Sequence, residues 1–164
     1  MTNLKVGTMR RQERGFSLPE LLTVIALMGL FIIFGGPAMN EAYRSYKVRA
    51  SADNLLNDLR AQRYIAVANR ATGTLTLNNQ SNVTAPNTYS FSNSKGVLIT
   101  VTMETGVNIE TTSAASVSFG INGGTGASGN TQVMVSCMIN SSRNDRYTIT
   151  ITPTGTVSSA YSTF

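Results

Sequence analysis

The sequence has no histidine, no tryptophan and a single cysteine, Cys137, among its 164 residues. Without histidine, catalytic triads that need an imidazole base and metal sites built on imidazole ligands are excluded. One cysteine cannot form an internal disulfide, so a disulfide-stapled secreted scaffold is excluded as well. Charged residues make up only 13% of the chain, against roughly 25% in an ordinary globular domain, which argues against a disordered or long coiled-coil protein.

The basic character of the chain is concentrated at its front end. The formal net charge is +5 and the isoelectric point is near 9.7, values that also occur in nucleic-acid-binding proteins. Residues 1–15 hold four basic side chains against one acidic one, whereas residues 72–164 hold three of each. The C-terminal part is therefore neutral, and the positive front end indicates membrane topology rather than ligand binding.

An uncharged run extends from Leu21 to Asn40. A helix of this length spans about 30 Å, the thickness of a bilayer core. With the basic segment before it, the run predicts a membrane-spanning helix with a cytoplasmic N-terminus. The alternatives are a cleaved secretory signal, for which residues 38–41 are a poor cleavage site, a plain signal anchor and a buried core helix. A plain anchor does not explain Glu20, a carboxylate at the edge of the run that is costly unless it has a partner.

The segment from Arg14 to Leu22 resembles the processing motif of type IV pilins and type II secretion pseudopilins. In that family a short basic leader ends in glycine, phenylalanine follows, a glutamate comes four residues later, and an apolar helix begins. The resemblance implies that a prepilin peptidase cuts between Gly15 and Phe16 and methylates the new amine of Phe16. It also implies that Glu20 pairs with the Phe16 ammonium of a neighbouring subunit, because two charges that are costly in an apolar environment become tolerable when paired.

Pro37 occupies the place where pilins have a helix-breaking proline. A proline inside a helix removes one hydrogen bond and clashes with the preceding turn. Because Gly35-Gly36 precedes it, this section is expected to bend or unwind when subunits pack, so Pro37 belongs with Glu20 among the assembly residues. The alternative is a simple end to the membrane helix at this point.

Residues 40–72 are predicted to continue the helix as an amphipathic half that ends at Thr72-Gly73. Its apolar stripe, which is expected to pack on the domain that follows, consists of Ala52, Leu55, Leu56, Leu59 and Ala66.

From residue 73 onward, β-branched and polar residues alternate between turn signals, which predicts antiparallel strands with one face in water. The expected strands are Thr74–Leu77, Tyr89–Phe91, Val97–Met103, Val107–Glu110, Ser116–Phe119, Gln132–Ile139, Arg146–Thr152 and a weak last strand from Val157. The expected fold class is α+β, a pilin-like lollipop with a long N-terminal helix and a C-terminal antiparallel β-sheet domain. Its parts are a cleaved leader at 1–15, a membrane-spanning and assembly half-helix at 16–39, an amphipathic half-helix at 40–72 and the β domain at 73–164.

The β domain resembles the GspH/FimT branch of pseudopilins and minor pilins. The similarity covers Val117–Phe119, a glycine-rich turn, the strand Val133–Val135, and Tyr147–Ile151 with Gly155 after it. Some members of this branch bind DNA through a basic C-terminal cluster, and the branch commonly has arginine after the last glycine. Here Thr156 follows that glycine.

The candidate phosphate contacts are Arg143, Arg146 and Lys95. The segment from Arg143 to Arg146 is more simply a polar hairpin turn, so a nucleic-acid partner is the less favoured alternative.

These observations predict a structural assembly subunit of a type II secretion pseudopilus or a type IV pilus. No enzyme activity, cofactor or metal is expected. The expected partners are the prepilin peptidase, other pilin or pseudopilin subunits and, before assembly, membrane lipid. The expected location is the bacterial cytoplasmic membrane, with the N-terminus in the cytoplasm and the β domain on the far side, and then the filament. The alternatives are a DNA-binding minor pilin for natural transformation and a major pilin.

Overall fold

The longest element is a helix, α1, which runs from Leu18 to Asn69 and contains Pro37. The structure is a computed structural model that describes residues 16–78 and 87–164, except for the side chain of Phe34. The chain divides into two compact units, Met1–Ala38 and Met39–Phe164. Residues of α1 belong to both units, whereas all the strands belong to the second.

A Schellman motif ends α1. Arg70 adopts a left-handed φ of 50°, and the N–H of Ala71 donates to the carbonyl of Ala66 over 3.1 Å. This bond satisfies a carbonyl that the end of the helix would otherwise leave unpaired. The helix therefore ends three residues before the stop expected at Thr72-Gly73.

Gly73 has a different role from the expected helix stop, because it opens the first strand. A Cβ at this position would lie 2.8 Å from the carbonyl oxygen of Gln62 on α1. Glycine therefore allows the first strand to run close against the backbone of the helix. The local sequence alone does not distinguish a glycine needed for this close approach from a glycine that ends a helix.

Strands make up most of the rest of the second unit in the described residues. They are β1 (Gly73–Asn78), β2 (Thr88–Ser92), β3 (Leu98–Thr102), β4 (Val107–Ile109), β5 (Ser116–Phe119), β6 (Thr131–Asn140), β7 (Arg143–Ile151) and β8 (Val157–Thr163). Sheet A has the order β3-β2-β1-β5 and sheet B the order β4-β6-β7-β8. Every pairing is antiparallel, which confirms an α+β fold with a long helix and antiparallel sheets.

One core joins α1 to both sheets. The predicted stripe of α1 is buried in full, Val48 and Ser51 extend it toward the N-terminus, and Gln62 fills the gap between Leu59 and Ala66. Its spacing of three and four residues keeps the stripe on one side of the helix. Alternate residues of the strands, among them Leu75 and Ile149, complete the same cluster. Full burial of one such leucine or isoleucine stabilises the fold by about 1.5–3 kcal/mol.

A partly buried hydrogen bond fixes α1 against sheet A. The hydroxyl of Tyr89 donates to Oδ2 of Asp58 over 2.6 Å. Burial, together with the neighbouring carboxylate, raises the pKa of Tyr89 above its ordinary value. The phenol therefore stays protonated and remains a donor to Asp58 throughout the physiological pH range.

Arg63 fixes α1 against two loops. Its Nε donates to the carbonyl of Gly123 over 3.2 Å, and its Nη2 donates to the carbonyl of Thr154 over 3.3 Å. The loops also bind each other, since the N–H of Thr125 donates to the carbonyl of Pro153 over 3.0 Å. The start of the glycine-rich segment at 120–129 is thus held in place by specific bonds.

We expect Gly155→Ala to destabilise the second unit by more than about 2 kcal/mol, since it combines backbone strain with overpacking. Gly155 has a φ of 82°, and a Cβ there would overlap the carbonyl oxygen of Gly123. The measurement is the free energy of unfolding by urea, for the full chain in detergent.

Gly106→Ala is the matched control. Gly106 has a φ of 89°, but a Cβ there would meet nothing within 4 Å. In this variant the free energy of unfolding should fall only by the strain of a non-glycine residue in the left-handed region, about 1–2 kcal/mol. Equal losses in the two variants would show that the contact between Gly155 and Gly123 is not the cause.

Candidate functional site

Large apolar side chains are exposed around the whole circumference of α1 in the first unit. They are Leu18, Leu21, Leu22, Val24, Ile25, Leu27, Met28, Leu30, Phe31, Ile32 and Ile33. These positions follow one another so closely that they point in every direction around the helix. A helix that is apolar all round is stable when lipid or other apolar helices surround it.

The start of this helix carries the candidate processing and pairing residues. The carbonyl of Ser17 accepts hydrogen bonds from the N–H groups of Glu20 over 3.0 Å and of Leu21 over 3.2 Å, which forms the first turn. Phe16, just before this turn, is 78% exposed. Gly15 lies outside the described residues.

Glu20 lies in the first turn of α1, and its side chain is exposed. The N-terminal turn of a helix presents unpaired N–H groups and a positive dipole end, which stabilise a carboxylate there by about 0.3–1 kcal/mol. No ion pair within residues 16–78 and 87–164 includes Glu20. Its carboxylate is therefore available to a cation from outside this part of the chain.

Pro37 lies inside α1, so the alternative that the helix ends at Gly35-Gly36-Pro37 is wrong. The ring nitrogen has no hydrogen, and the carbonyl one turn earlier therefore loses its ordinary helical partner. A Cβ atom added at Gly35 or at Gly36 would meet nothing within 4 Å. Packing within the described part of the chain therefore does not require either glycine.

Length and apolar composition are the two properties that a membrane-spanning helix must combine. Among the described residues, no single helix is long and apolar enough to cross a membrane. The two parts of α1, Leu18–Ile33 and Gly35–Asn69, meet at a bend of 41° and together have the required length and composition.

Arg143, the first candidate phosphate contact, is held by a carboxylate of its own strand. Its Nε and Nη2 donate to Asp145 over 2.8 and 3.1 Å, and its Nη2 also donates to the hydroxyl of Tyr161 over 3.1 Å. Asp145 is 1% exposed and accepts a further bond from Ser45 Oγ over 2.8 Å. The hydrogen bond to Asp145 raises the pKa of the Arg143 guanidinium.

Arg146, the second candidate, is paired as well. Its Nε donates to Oε1 of Glu110 over 2.7 Å, and its guanidinium lies 4.0 Å from the ring centroid of Phe164. Arg143 and Arg146 are three positions apart on β7, so their side chains leave opposite faces of sheet B. The structure therefore does not bring these two cations together as one phosphate site.

The expectation of a hairpin turn from Arg143 to Arg146 is wrong. The turn is Ser141-Ser142, and β7 already begins at Arg143. The sequence did not identify Asp145 as a buried carboxylate that binds Arg143 and Ser45, because polar residues beside two serines suggested a turn. The alternation of Asp145 with Tyr147 and Ile149 was the signal that could have extended the strand.

Lys95, the third candidate, lies in the turn between β2 and β3. Its backbone N–H donates to Oδ1 of Asn93 over 2.9 Å. Its side chain is exposed, and it forms no ion pair within the described ranges.

Cations also lie beside Gly155, but they come from α1. A groove of about 470 Å³ is lined by Arg60, Arg63 and Tyr64 on the helix and by residues 155–157 opposite them. Arg60 Nη2 donates to the carbonyl of Val157 over 3.2 Å, and Arg63 binds the two loops as described above. Arginines of α1 therefore hold the segment that contains Gly155 and Thr156.

Cys137 is buried in β6. Burial raises the pKa of its thiol, so the thiol stays protonated and unreactive at neutral pH. In the described residues, no group of three or more acidic, cysteine or histidine side chains is placed to hold a metal ion.

We expect Arg143→Gln to lower the melting temperature of the second unit, because it leaves the buried carboxylate of Asp145 without its cation. Arg49→Gln is the control, since it removes an exposed pair in which Nε of Arg49 lies 3.8 Å from Asp53. Exposed pairs contribute little to stability. Circular dichroism on heating measures both variants, and equal melting temperatures would contradict a structural role for Arg143.

Any proposed function must therefore explain two features: the exposed apolar helix of the first unit and the neutral β domain of the second. The chain matches no family model, no curated protein and no solved structure.

Proposed function

We propose that this protein is a structural subunit of a type II secretion pseudopilus or a type IV pilus. It is made with a basic leader, cleaved between Gly15 and Phe16 by a prepilin peptidase, and assembled through the first half of α1. The observation that supports the proposal most directly is the exposure of apolar side chains around α1 from Leu18 to Ile33, with Glu20 in the first turn.

The apolar surface of α1 between Leu18 and Ile33 needs an apolar environment both before and after assembly. In water, each fully exposed leucine or isoleucine forgoes about 1.5–3 kcal/mol of burial free energy. Membrane lipid covers such a helix before assembly, and the helices of neighbouring subunits cover it afterwards. The location proposed is therefore the cytoplasmic membrane first, with the basic leader in the cytoplasm, and then the filament.

Glu20 gives assembly its register. A carboxylate in an apolar filament core is costly unless a cation reaches it. Cleavage after Gly15 creates such a cation, the amine of Phe16, four residues from Glu20 in every subunit. Pairing of this amine with Glu20 of a neighbour neutralises both charges and fixes the axial position of one helix against the next.

The contacts of the β domain support an assembly role over DNA uptake. Arg143 and Arg146 each have a carboxylate partner within the domain. DNA binding depends on cations that are available to neutralise phosphates, and both arginines already neutralise a carboxylate of the domain. We therefore assign the β domain to contacts with other subunits.

Intact mass spectrometry of the protein from membranes tests the processing step. We expect a chain that starts at N-methylated Phe16. Gly15→Val should accumulate as the full-length chain, because a branched side chain at the cleavage site removes the permissive backbone that glycine supplies. Gly7→Val, the same change within the leader, should be cleaved normally. A Gly15→Val protein that still yields the mature chain would contradict the assignment.

Glu20→Gln tests the charge pair, because it keeps the shape of the side chain and removes its charge. We expect normal cleavage and a loss of most of the incorporation into sheared filaments. Glu41→Gln is the control: Glu41 lies further along α1 and accepts a bond from Nδ2 of Asn140 over 3.1 Å. Full incorporation of the Glu20→Gln subunit would show that the carboxylate does not pair in the filament.

A further inference from the structure

β3 is an edge strand with little protection. It lies at one end of sheet A, and no strand in the described residues pairs with its outer side. Residues 97–103 contain neither charge nor proline, and Val97 and Leu98 are 56% and 67% exposed. Natural edge strands are usually protected from other chains by lysine, proline or a bulge.

The backbone of β3 presents free hydrogen-bonding groups at regular intervals. The N–H of Asn93 donates to the carbonyl of Val97, and the N–H of Met103 donates to the carbonyl of Asn87, both in the register that pairs β2 with β3. In an antiparallel pair such bonds alternate along the strand. The N–H and C=O groups of Leu98, Thr100 and Thr102 therefore point away from β2, toward the open edge.

The other edge strands are shorter or carry fewer exposed apolar side chains than β3. β4 has three residues and β5 has four. β8 is longer, but it carries mostly small polar side chains. β3 is thus the edge that combines free backbone groups with exposed apolar side chains.

Opposite charges flank β3. Lys95 precedes it and Glu104 follows it. Both side chains are exposed, and neither forms an ion pair in the described part of the chain.

We propose that β3 pairs with β3 of a second copy of this chain, antiparallel and about a two-fold axis beside Thr100. In this register Thr100 lies opposite Thr100 of the second copy, and Leu98 lies opposite Thr102. All three outward-pointing residues of each strand then form backbone hydrogen bonds, and the two A sheets become one.

The same register accounts for the flanking charges. Gly96 of one copy lies opposite Glu104 of the other, and Lys95 is the next residue in the turn before β3, so the opposite charges of the two copies lie at the same end of the strand pair, where they attract. The two-fold axis repeats this pair at the other end of the strand. A parallel pair in register would instead place each charge next to its own kind. Charge complementarity therefore selects a second, antiparallel copy as the occupant of this edge.

The contact joins identical edges, so it closes after two copies and does not extend into fibres. The proposal does not depend on the pilin assignment, because it uses only residues of the second unit.

Cysteine cross-linking of the full chain in detergent tests the pairing. Thr100→Cys is made in a Cys137→Ala background and oxidised with diamide. Residues directly opposite in an antiparallel pair have Cα atoms about 5.5 Å apart, within the range that a disulfide spans. Ser158→Cys, exposed on the edge strand β8, is the matched control for collision within micelles.

We expect disulfide-linked dimers from Thr100→Cys to form about tenfold faster than from Ser158→Cys, because pairing raises the effective concentration of the two thiols. Equal rates would overturn the proposal.

A charge exchange tests the register. Lys95→Glu in the Thr100→Cys protein should slow cross-linking, because it places two carboxylates at each end of the strand pair. Adding Glu104→Lys should restore the rate, since the opposite charges then meet again in reverse order. A double variant that cross-links no faster than Lys95→Glu alone would refute this register and the proposed partner with it.

Discussion

The burial of one stripe of α1 against two sheets is the contact on which the second unit depends. Sheets A and B share no strand, and each is antiparallel with one inner face. Val48, Leu55 and Leu59 are fully buried and give both inner faces a common partner. Polar bonds such as the one between Tyr89 and Asp58 then fix the rotation of the helix, because a stripe of aliphatic side chains alone tolerates small shifts.

The apolar side chains of α1 are arranged differently in the first unit. There the apolar side chains surround the axis, and the chain itself supplies nothing in the described residues to cover them. An element that is amphipathic at one end and uniformly apolar at the other is suited to two surroundings. This contrast within α1 is the physical basis for proposing a subunit that is held in lipid and then in a filament.

The ionic contacts of the β domain are mostly internal. Arg143 and Arg146 bind carboxylates, Arg60 of α1 binds the first carbonyl of β8, and Arg63 of α1 binds loop carbonyls. These cations stabilise the domain and leave little charge for a polyanion. Lys95 and Glu104 lack such partners in the described ranges, and their positions around an open strand edge point to a contact with another copy.

Periodicity in the sequence predicted the amphipathic part of α1, its buried stripe and the approximate place of the strands, because helices and strands repeat with periods that local composition reveals. It missed the start of β7, where polar residues looked like a turn. The sequence also marked Glu20, because a carboxylate beside an uncharged run is conspicuous without any structure. Phe16 became a candidate only through the resemblance of Arg14 to Leu22 to the pilin processing motif. Only the tertiary structure decided that Arg143 and Arg146 leave opposite faces of a sheet. It also decided that Asp145 is buried and hydrogen-bonded to Ser45, and that the backbone of Gly73 lies close to that of Gln62. Those outcomes depend on strand register and on contacts between residues distant in sequence, and no local pattern contains either.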